Sequence, residues 1–387
     1  MSQLQNKHTN LSTAIQAPLF GFDFFGKERA NEATLEVSKI EKVYFYPKTQ
    51  NIEGKFQIQN RRYLGNKFKL INFIKDIVNE KCGEITSFCD IFAGTGVVGE
   101  GFNDKNIKVI SNDILLSNYL PLKTFLDAKN VNIDGLKKKI NLLNSIKSND
   151  DNYFSKYYGG TYFTIENAKK IGAIREKIES IAESDEEKFA LITSLIYAAD
   201  KVANTVGHYD AYRKNLDSIN PLELLAPTIN LENNTNNEVY REDANTLIRK
   251  IKCDVLYMDP PYNSRQYCDS YHLLENLVEW GKPEVFGKAK KMDRTHLKSQ
   301  YCLKSAKKAF EDLIENANCK HILVSYNNTG EKKDGRSNSR IKDSEIVNIL
   351  KKKGEVEVFE RDYRAFSTGR SETDGHTERV FYCKVNN

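Results

Sequence analysis

The chain has 387 residues, of which 40% are hydrophobic and 29% charged, with a net charge of +5. That is enough apolar material for one large domain or two ordinary ones, and no stretch is apolar for the length that a membrane-spanning helix needs. The opening "MSQLQNKHTNLSTAIQAPLF" lacks the charged, apolar and cleavage regions of a signal peptide, so a cytoplasmic location is expected. The mild basic excess is compatible with a polyanion partner. Cys82, Cys89, Cys253, Cys268, Cys302, Cys319 and Cys383 are scattered without a C-x-x-C pair, which argues against a disulfide framework and a zinc site. No metal is expected.

Residues 1–60 are weakly periodic and are expected to form an irregular N-terminal extension, in which "KVYFYPK" (Lys42–Lys48) reads as a short strand. From Arg61 the pattern sharpens. "RRYLGNKFKLINFIKDIVNEKCG" reads as a glycine turn leading into an amphipathic helix. Leu70, Ile71, Ile74, Ile77 and Val78 recur at helical spacing, and Gly83 suits the stop. "ITSFCDIFAGTGVVGEGF" then reads as a buried strand, a Gly-rich turn and a helix start. "IKVISNDI" is a second strand and "SNYLPLKTFLDAKN" a helix.

Between about 144 and 240 the alternation stops. "IENAKKIGAIREKIESIAES" and "EEKFALITSLIYAADKVANTV" read as helices, "GHYDAYRKN" as a turn or loop, and the Asn-rich "INLENNTNNEVY" as a solvated connection. The sheet pattern returns with "VYREDANTLIRKIKCDVLYMDPPY", "KHILVSYNN", "VEVFERDY" and "RVFYCKV". The expected fold class is α/β: a parallel, doubly wound sheet from 61–143 and 241–387, interrupted by a mostly helical insertion over 144–240.

Four constellations carry chemistry. In "DIFAGTGVVG" (Asp90–Gly99) the glycines at 94 and 96 let the backbone turn tightly and approach a ligand. Gly99 completes a formal G-x-G-x-x-G, so a dinucleotide site is a rival. Asp113, ending the next strand, can accept from ribose hydroxyls or cap the following helix. Asp243 in "EDANTL" can accept from the exocyclic amine of an adenine ring, although taken alone it reads first as a helix cap. In "DVLYMDPPYNSRQY" an apolar strand ends in a carboxylate, two residues without an N–H, and an aromatic ring. Asp259 and the Pro260 carbonyl offer acceptors to an amine, and Tyr262 offers a flat face to its ring.

On these residues the chain resembles the DNA adenine-N6 methyltransferases. It is similar to the branch in which the cofactor motif precedes the recognition insert and D-P-P-Y follows, as in GATC-type and type II restriction–modification adenine methylases. "YLGNK" (Tyr63–Lys67), "FAGTG", "SNDI", "EDA" and "DPPY" match that family's motifs in order, from about Arg61 to the C-terminus. The resemblance implies a Rossmann-like S-adenosylmethionine-dependent methyltransferase sheet with a target-recognition insertion. It implies that Tyr63, Lys67, Asp90, Phe92, Ala93, Gly94, Thr95, Gly96, Asp113 and Asp243 bind S-adenosylmethionine, with Lys67 near the cofactor's methionine carboxylate. It implies that Asp259, Pro260, Pro261 and Tyr262 act on a flipped adenine. The Pro-Cys motif of cytosine-C5 enzymes is absent, and Asp259 stands where cytosine-N4 enzymes usually carry Ser, which favours adenine.

"NTVGHYDAYRKN" (Asn204–Asn215) resembles the segment that begins DNA recognition in GATC-specific methylases. That likeness implies that Asn204, His208 and Tyr209 contact or wedge the duplex, with Arg213 and Lys214 on phosphates. A packed, hydrogen-bonded corner is the alternative for His208 and Tyr209. The lysine-rich stretch Gly287–Phe310 reads equally as a phosphate-tracking element or a solvated helix face. Arg364 and Arg370 are further candidates for supporting DNA. The expectation is therefore a cytoplasmic monomer acting on adenine N6 in double-stranded DNA, with room for a cognate restriction endonuclease that acts separately. Rival readings are an RNA adenine-N6 methyltransferase, a dinucleotide-dependent dehydrogenase, and a non-catalytic DNA-binding module that kept the fold.

Overall fold

The computed structural model describes residues 37–39, 54–216, 220–327, 339–362 and 377–386. The expected strand at Lys42–Lys48 and the candidates Arg364 and Arg370 lie outside the described residues. Ten strands are described in chain order: β1 (Val37–Lys39), β2 (Lys55–Phe56), β3 (Ser87–Asp90), β4 (Lys108–Asn112), β5 (Ala226–Pro227), β6 (Glu238–Tyr240), β7 (Cys253–Met258), β8 (Cys319–Asn327), β9 (Gly354–Asp362) and β10 (Thr377–Val385). Twelve α-helices accompany them: α1 (Ile71–Lys81), α2 (Val97–Gly101), α3 (Leu116–Leu122), α4 (Ile133–Asn144), α5 (Tyr153–Tyr158), α6 (Ile165–Ile181), α7 (Asp185–Val202), α8 (Ala244–Leu247), α9 (Tyr267–Ser270), α10 (His272–Glu279), α11 (Ala306–Asn316) and α12 (Asp343–Leu350).

Eight strands form one sheet in the order β1-β9-β10-β8-β7-β3-β4-β6. Strands β8, β7, β3, β4 and β6 run parallel, and β10 lies antiparallel between β8 and β9. The expected doubly wound α/β sheet is therefore present, with an antiparallel hairpin at one side. The central strands are buried on both faces, which is why they read as continuous apolar runs. In β7, Val255 and Tyr257 face one apolar cluster, with Phe88, Phe73 and Ile74, while Leu256 and Met258 face the other, with Phe310 and Leu313.

Residues 1–60 are expected to form an irregular extension. Two of their segments are regular: Val37–Lys39 extends the sheet beside β9, in register with Val358–Glu360, and Lys55–Phe56 pairs with β5 in a separate two-stranded sheet. Helices α5, α6 and α7 occupy the stretch expected as an insertion, and their apolar side chains join the core cluster of α1 and β3. Every residue from Leu191 to Asp200 in α7 is buried, so this helix is core on all its faces.

Three expectations change. The Asn-rich stretch is solvated only in part: Asn230, Glu232, Thr235 and Asn236 are exposed, whereas Asn234 and Asn237 are fully buried. Asn234 donates to the carbonyls of Phe125 and Ala128, and Asn237 accepts the Val109 N–H at 2.8 Å. Amides can pair with backbone groups that have lost their ladder partners, a use that composition does not reveal. Gly287–Phe310 is mostly turns and short 3-10 segments, and the helix α11 begins only at Ala306. Third, the helix over "SNYLPLKTFLDAKN" ends as α at Leu122 and continues as a π turn over Lys123–Asp127. Pro121 inside α3 has no N–H for the Ser117 carbonyl, and Arg61 Nη1 takes that carbonyl at 2.9 Å. No helix among the described residues is long and apolar enough to cross a membrane.

Candidate active site

The chain leaves β3 towards β4 on one side and returns as β7 on the other, so β3 and β7 bracket the point where the winding direction reverses. Open α/β sheets bind ligands at that point, beyond the carboxyl ends of the strands. A cavity of ≈ 180 Å³ lies there. Tyr63, Lys67, Asp90, Phe92, Ala93, Gly94, Thr95, Asp113, Asp243, Asp259 and Pro261, all expected from the sequence, line it, whereas Gly96, Pro260 and Tyr262 do not.

The Gly-rich turn explains the split. Gly94 and Gly96 both adopt left-handed backbone, φ 55° and 82°. Gly94 faces the cavity, and a Cβ there would lie 3.2 Å from the Tyr63 ring. Gly96 faces inward against Leu122 and Ile58, so it shapes the turn from behind. Asp113 ties the turn down by accepting from Gly94 N–H at 3.0 Å and from Leu115 N–H at 2.9 Å. Burial pushes its carboxyl up to about 6. Asp90 is fully enclosed, held well above the usual carboxylate range by burial, and its Oδ1 has no hydrogen-bond partner among the described residues. Asp243 caps α8 by accepting the Thr246 N–H at 3.1 Å and still lines the cavity, so the capping reading and the pocket reading both hold as geometry.

Tyr63 forms the wall that packs against the turn at Gly94. Its ring stacks on Tyr271, centroids 4.5 Å apart, and on Tyr267 at 5.4 Å, while Asn118 Nδ2 donates to its hydroxyl at 3.0 Å. The Tyr271 hydroxyl accepts from Leu64 N–H at 2.7 Å, so "YLGNK" is fastened to the segment following D-P-P-Y.

The strand β7 delivers Asp259 to the same cavity. Lys67 Nζ lies 3.1 Å from Asp259 Oδ2 and 2.9 Å from Glu378 Oε1, with the lysine side chain 8% exposed and the glutamate 2%. Burial pushes the Asp259 carboxyl up to about 6, against the pull of Lys67 and with the push of Glu378. Burial disfavours the Lys67 cation, yet the two carboxylates hold it well above the usual lysine range. The resemblance put Lys67 near a cofactor carboxylate. It lines the cavity, and its ammonium pairs there with Asp259 and Glu378, the acids that offset the cost of burying a cation. Tyr262 packs edge-on against Tyr326, centroids 5.9 Å apart, and its carbonyl accepts from Arg340 N–H at 2.8 Å.

The five residues expected on DNA divide. Arg213 and Lys214 are exposed. His208 is half-buried, 3.7 Å from Asp210, and burial lowers its pKa. Asn204 and Tyr209 are buried and spoken for. Asn204 Nδ2 donates to the carbonyls of Thr161 and Arg213, both at 3.0 Å, and Tyr209 O–H donates to Asp200 Oδ1 at 3.0 Å. Direct contact with a duplex is thus corrected for these two: they fold the loop that presents their neighbours.

Residues 63–334 match the family of D12 class N6 adenine-specific DNA methyltransferases. The chain belongs to this family. It is 36% identical over 348 residues to the StsI modification methylase of Streptococcus sanguinis, covering 84% of this chain and 52% of that one. It is 36% identical over 350 residues to the type II methyltransferase M.FokI of Planomicrobium okeanokoites, covering 84% and 52%. It is 33% identical over 332 residues to the type II methyltransferase M.NlaIII of Neisseria lactamica, covering 81% and 95%. The chain thus spans about half the length of the first two relatives.

The D12 class span begins at Tyr63, the wall of the cavity, and includes Asp259. Sequence reasoning missed other lining residues within it: Gln266, Tyr267, His296, Lys298, Ser299 and Tyr301. Gln266 and Ser299 exchange two hydrogen bonds, Gln266 Nε2 to Ser299 O at 3.0 Å and Ser299 N–H to Gln266 Oε1 at 2.8 Å. That exchange folds the lysine-rich stretch over the pocket. Tyr267 and Tyr271 sit at i and i+4 after the motif, a spacing that could have flagged them as one aromatic surface.

Proposed function

We propose that this chain transfers a methyl group from S-adenosylmethionine to N6 of an adenine flipped out of double-stranded DNA, as the modification enzyme of a restriction–modification system or as an orphan. The observation that carries the reading is the placement of Asp259 at the tip of β7, in the same cavity as the Gly94 turn. Relatives named as modification methylases and type II methyltransferases support it.

The residues present fit such a cofactor. Asp90 Oδ1 is a buried acceptor without a partner among the described residues, the Tyr63 ring is a flat wall, and Asp113 and Asp243 bring acceptors to the far side. In this reading Tyr63, Asp90, Phe92, Ala93, Gly94, Thr95, Asp113 and Asp243 hold the cofactor, and Gly96 shapes the turn. S-adenosylmethionine supplies an activated methyl when bound. The adenine amine is a weak nucleophile because its lone pair is delocalised into the ring. Asp259 and the Pro260 carbonyl accept its hydrogens and favour a tetrahedral nitrogen aimed at the cofactor, with Tyr262 stacking the base. Within 144–240, Arg213 and Lys214 meet phosphates, and His208 contacts the duplex from the same loop. The enzyme works in the cytoplasm as a monomer, apart from any endonuclease.

The test is incubation with tritiated S-adenosylmethionine and unmethylated genomic DNA, followed by digestion to nucleosides. Label in N6-methyldeoxyadenosine is expected. Label that appears only when RNA is supplied transfers the reading to RNA, and cofactor binding without transfer to either reduces the chain to a binding module.

A further inference from the structure

Three adjacent strands bring three polar groups into one row, in which Ser325 and Glu378 are buried and Asp259 is partly exposed. β7 leads into Asp259, β8 carries Ser325 and β10 carries Glu378, and the sheet order is β7, β8, β10. Lys67 closes the row from the loop before α1. Its ammonium lies 3.1 Å from Asp259 and 2.9 Å from Glu378, and Ser325 Oγ donates to Glu378 Oε1 at 3.0 Å. Glu378 lies beyond residue 334, where the D12 class match ends.

The charges of this row decide what Asp259 can do. Lys67 and Asp259 alone would form a neutral pair, and a neutral pair exerts little field on a neighbouring amine. With Glu378 added, two acidic side chains face one lysine in a largely desolvated place. An amine that attacks an activated methyl gains positive charge, and a fixed negative field there favours the transition state over the ground state.

We propose that Glu378 is a positioning residue for Asp259: it fixes the Lys67 ammonium and shares its charge, so that the Asp259 carboxylate keeps a net negative field on the reacting amine. The inference rests on the role given to Asp259 above. Other groups also interact with Asp259, namely Asp90 from β3, Tyr257 from β7 and Tyr267 from the segment after the motif, while Tyr262 acts on Lys67. Among the carboxylates, Glu378 is the one that shares the lysine with it. Its charge pushes the Asp259 carboxyl up while Lys67 pulls it down.

The experiment uses the full chain with Glu378→Gln, Glu378→Asp and Ser325→Ala. Three quantities are read: single-turnover methyl transfer to duplex DNA against pH, the affinity for S-adenosylhomocysteine, and the titration of Asp259 by carboxyl 13C NMR, its signal assigned with Asp259→Asn. In Glu378→Gln the transfer rate should fall roughly tenfold or more, the fold-change that about one pKa unit of interaction represents. Product affinity should hold, and the Asp259 midpoint and the acid limb of the rate should both move to lower pH. Glu378→Asp should recover part of the rate, and Ser325→Ala should shift the midpoint in the same direction by less. An unmoved Asp259 midpoint in Glu378→Gln, with only a lower melting temperature, overturns the proposal. If that variant does not fold, a midpoint and rate unchanged in both Ser325→Ala and Glu378→Asp overturn it. A wild-type protein that transfers nothing to DNA while the midpoint still moves would remove the DNA reading and leave the placement of Glu378 standing.

Discussion

The carboxylate of Asp113 accepts the N–H of Gly94 at 3.0 Å across 19 positions of chain. The end of β4 therefore sets the shape of the turn that follows β3, and one side chain both braces the cavity and lines it. Asp113→Ala removes a half-buried carboxylate acceptor and frees two backbone donors. A hydrogen bond to a charged group is worth about 1.5–3 kcal/mol, so affinity for S-adenosylhomocysteine should fall roughly ten- to hundredfold by calorimetry. An unchanged affinity would confine Asp113 to a local structural role.

Asp259→Ala should abolish methyl transfer and leave cofactor affinity largely intact, because the role proposed for this carboxylate is toward the target amine. Loss of cofactor binding would show its role to be wrongly assigned. The wild-type rate should also depend on pH. Burial holds the Asp259 carboxyl at about 6, above its ordinary value. Protonation converts one acceptor oxygen into a donor. Single-turnover transfer should therefore be full above that value and decline as pH falls through about 6. A rate flat from pH 7 to about 5 would mean that ionised Asp259 is not needed.

Much of this was legible in the sequence because the groups that make a cavity at a sheet edge must be near strand ends. The order of apolar strand, turn and acid singled out Asp90, Gly94, Asp113 and Asp259, which line one pocket. What the sequence withheld is pairing across the fold. Asn234 and Asn237 look like loop residues, and only the neighbouring backbone gives their amides a purpose. Glu378 is one acid among many in a strand of mixed composition, and it becomes notable only because β10 inserts beside β8. Tyr209 sits in a polar stretch that resembles a recognition loop, yet Asp200 on α7 draws its hydroxyl inward.

Tyr209 and Arg213 are four residues apart in sequence and should behave oppositely. Tyr209→Phe deletes the donor to Asp200, which Arg62 still engages. It should lower stability by about 1–3 kcal/mol and leave the salt dependence of DNA binding unchanged. Arg213→Ala removes an exposed cation. It should leave the unfolding midpoint in place, weaken DNA binding and reduce the salt slope by about 1. A changed slope in Tyr209→Phe, or an unchanged one in Arg213→Ala, would reverse the assignment of the loop.

The buried amides make the last contrast. Asn237 accepts the Val109 N–H at 2.8 Å, just before β6 begins to pair with β4, and donates to Asn103 Oδ1 at 2.8 Å. Its side chain thus continues the sheet edge where the backbone ladder has not yet started. Asn237→Ala strands a buried N–H of β4 and should cost about 1–3 kcal/mol. Its neighbour Asn236 is exposed, and Asn236→Ala should change stability by less than about 0.5 kcal/mol. Denaturant unfolding of the two variants compares them directly. Equal, small effects would mean that water readily replaces Asn237 at the edge of β4.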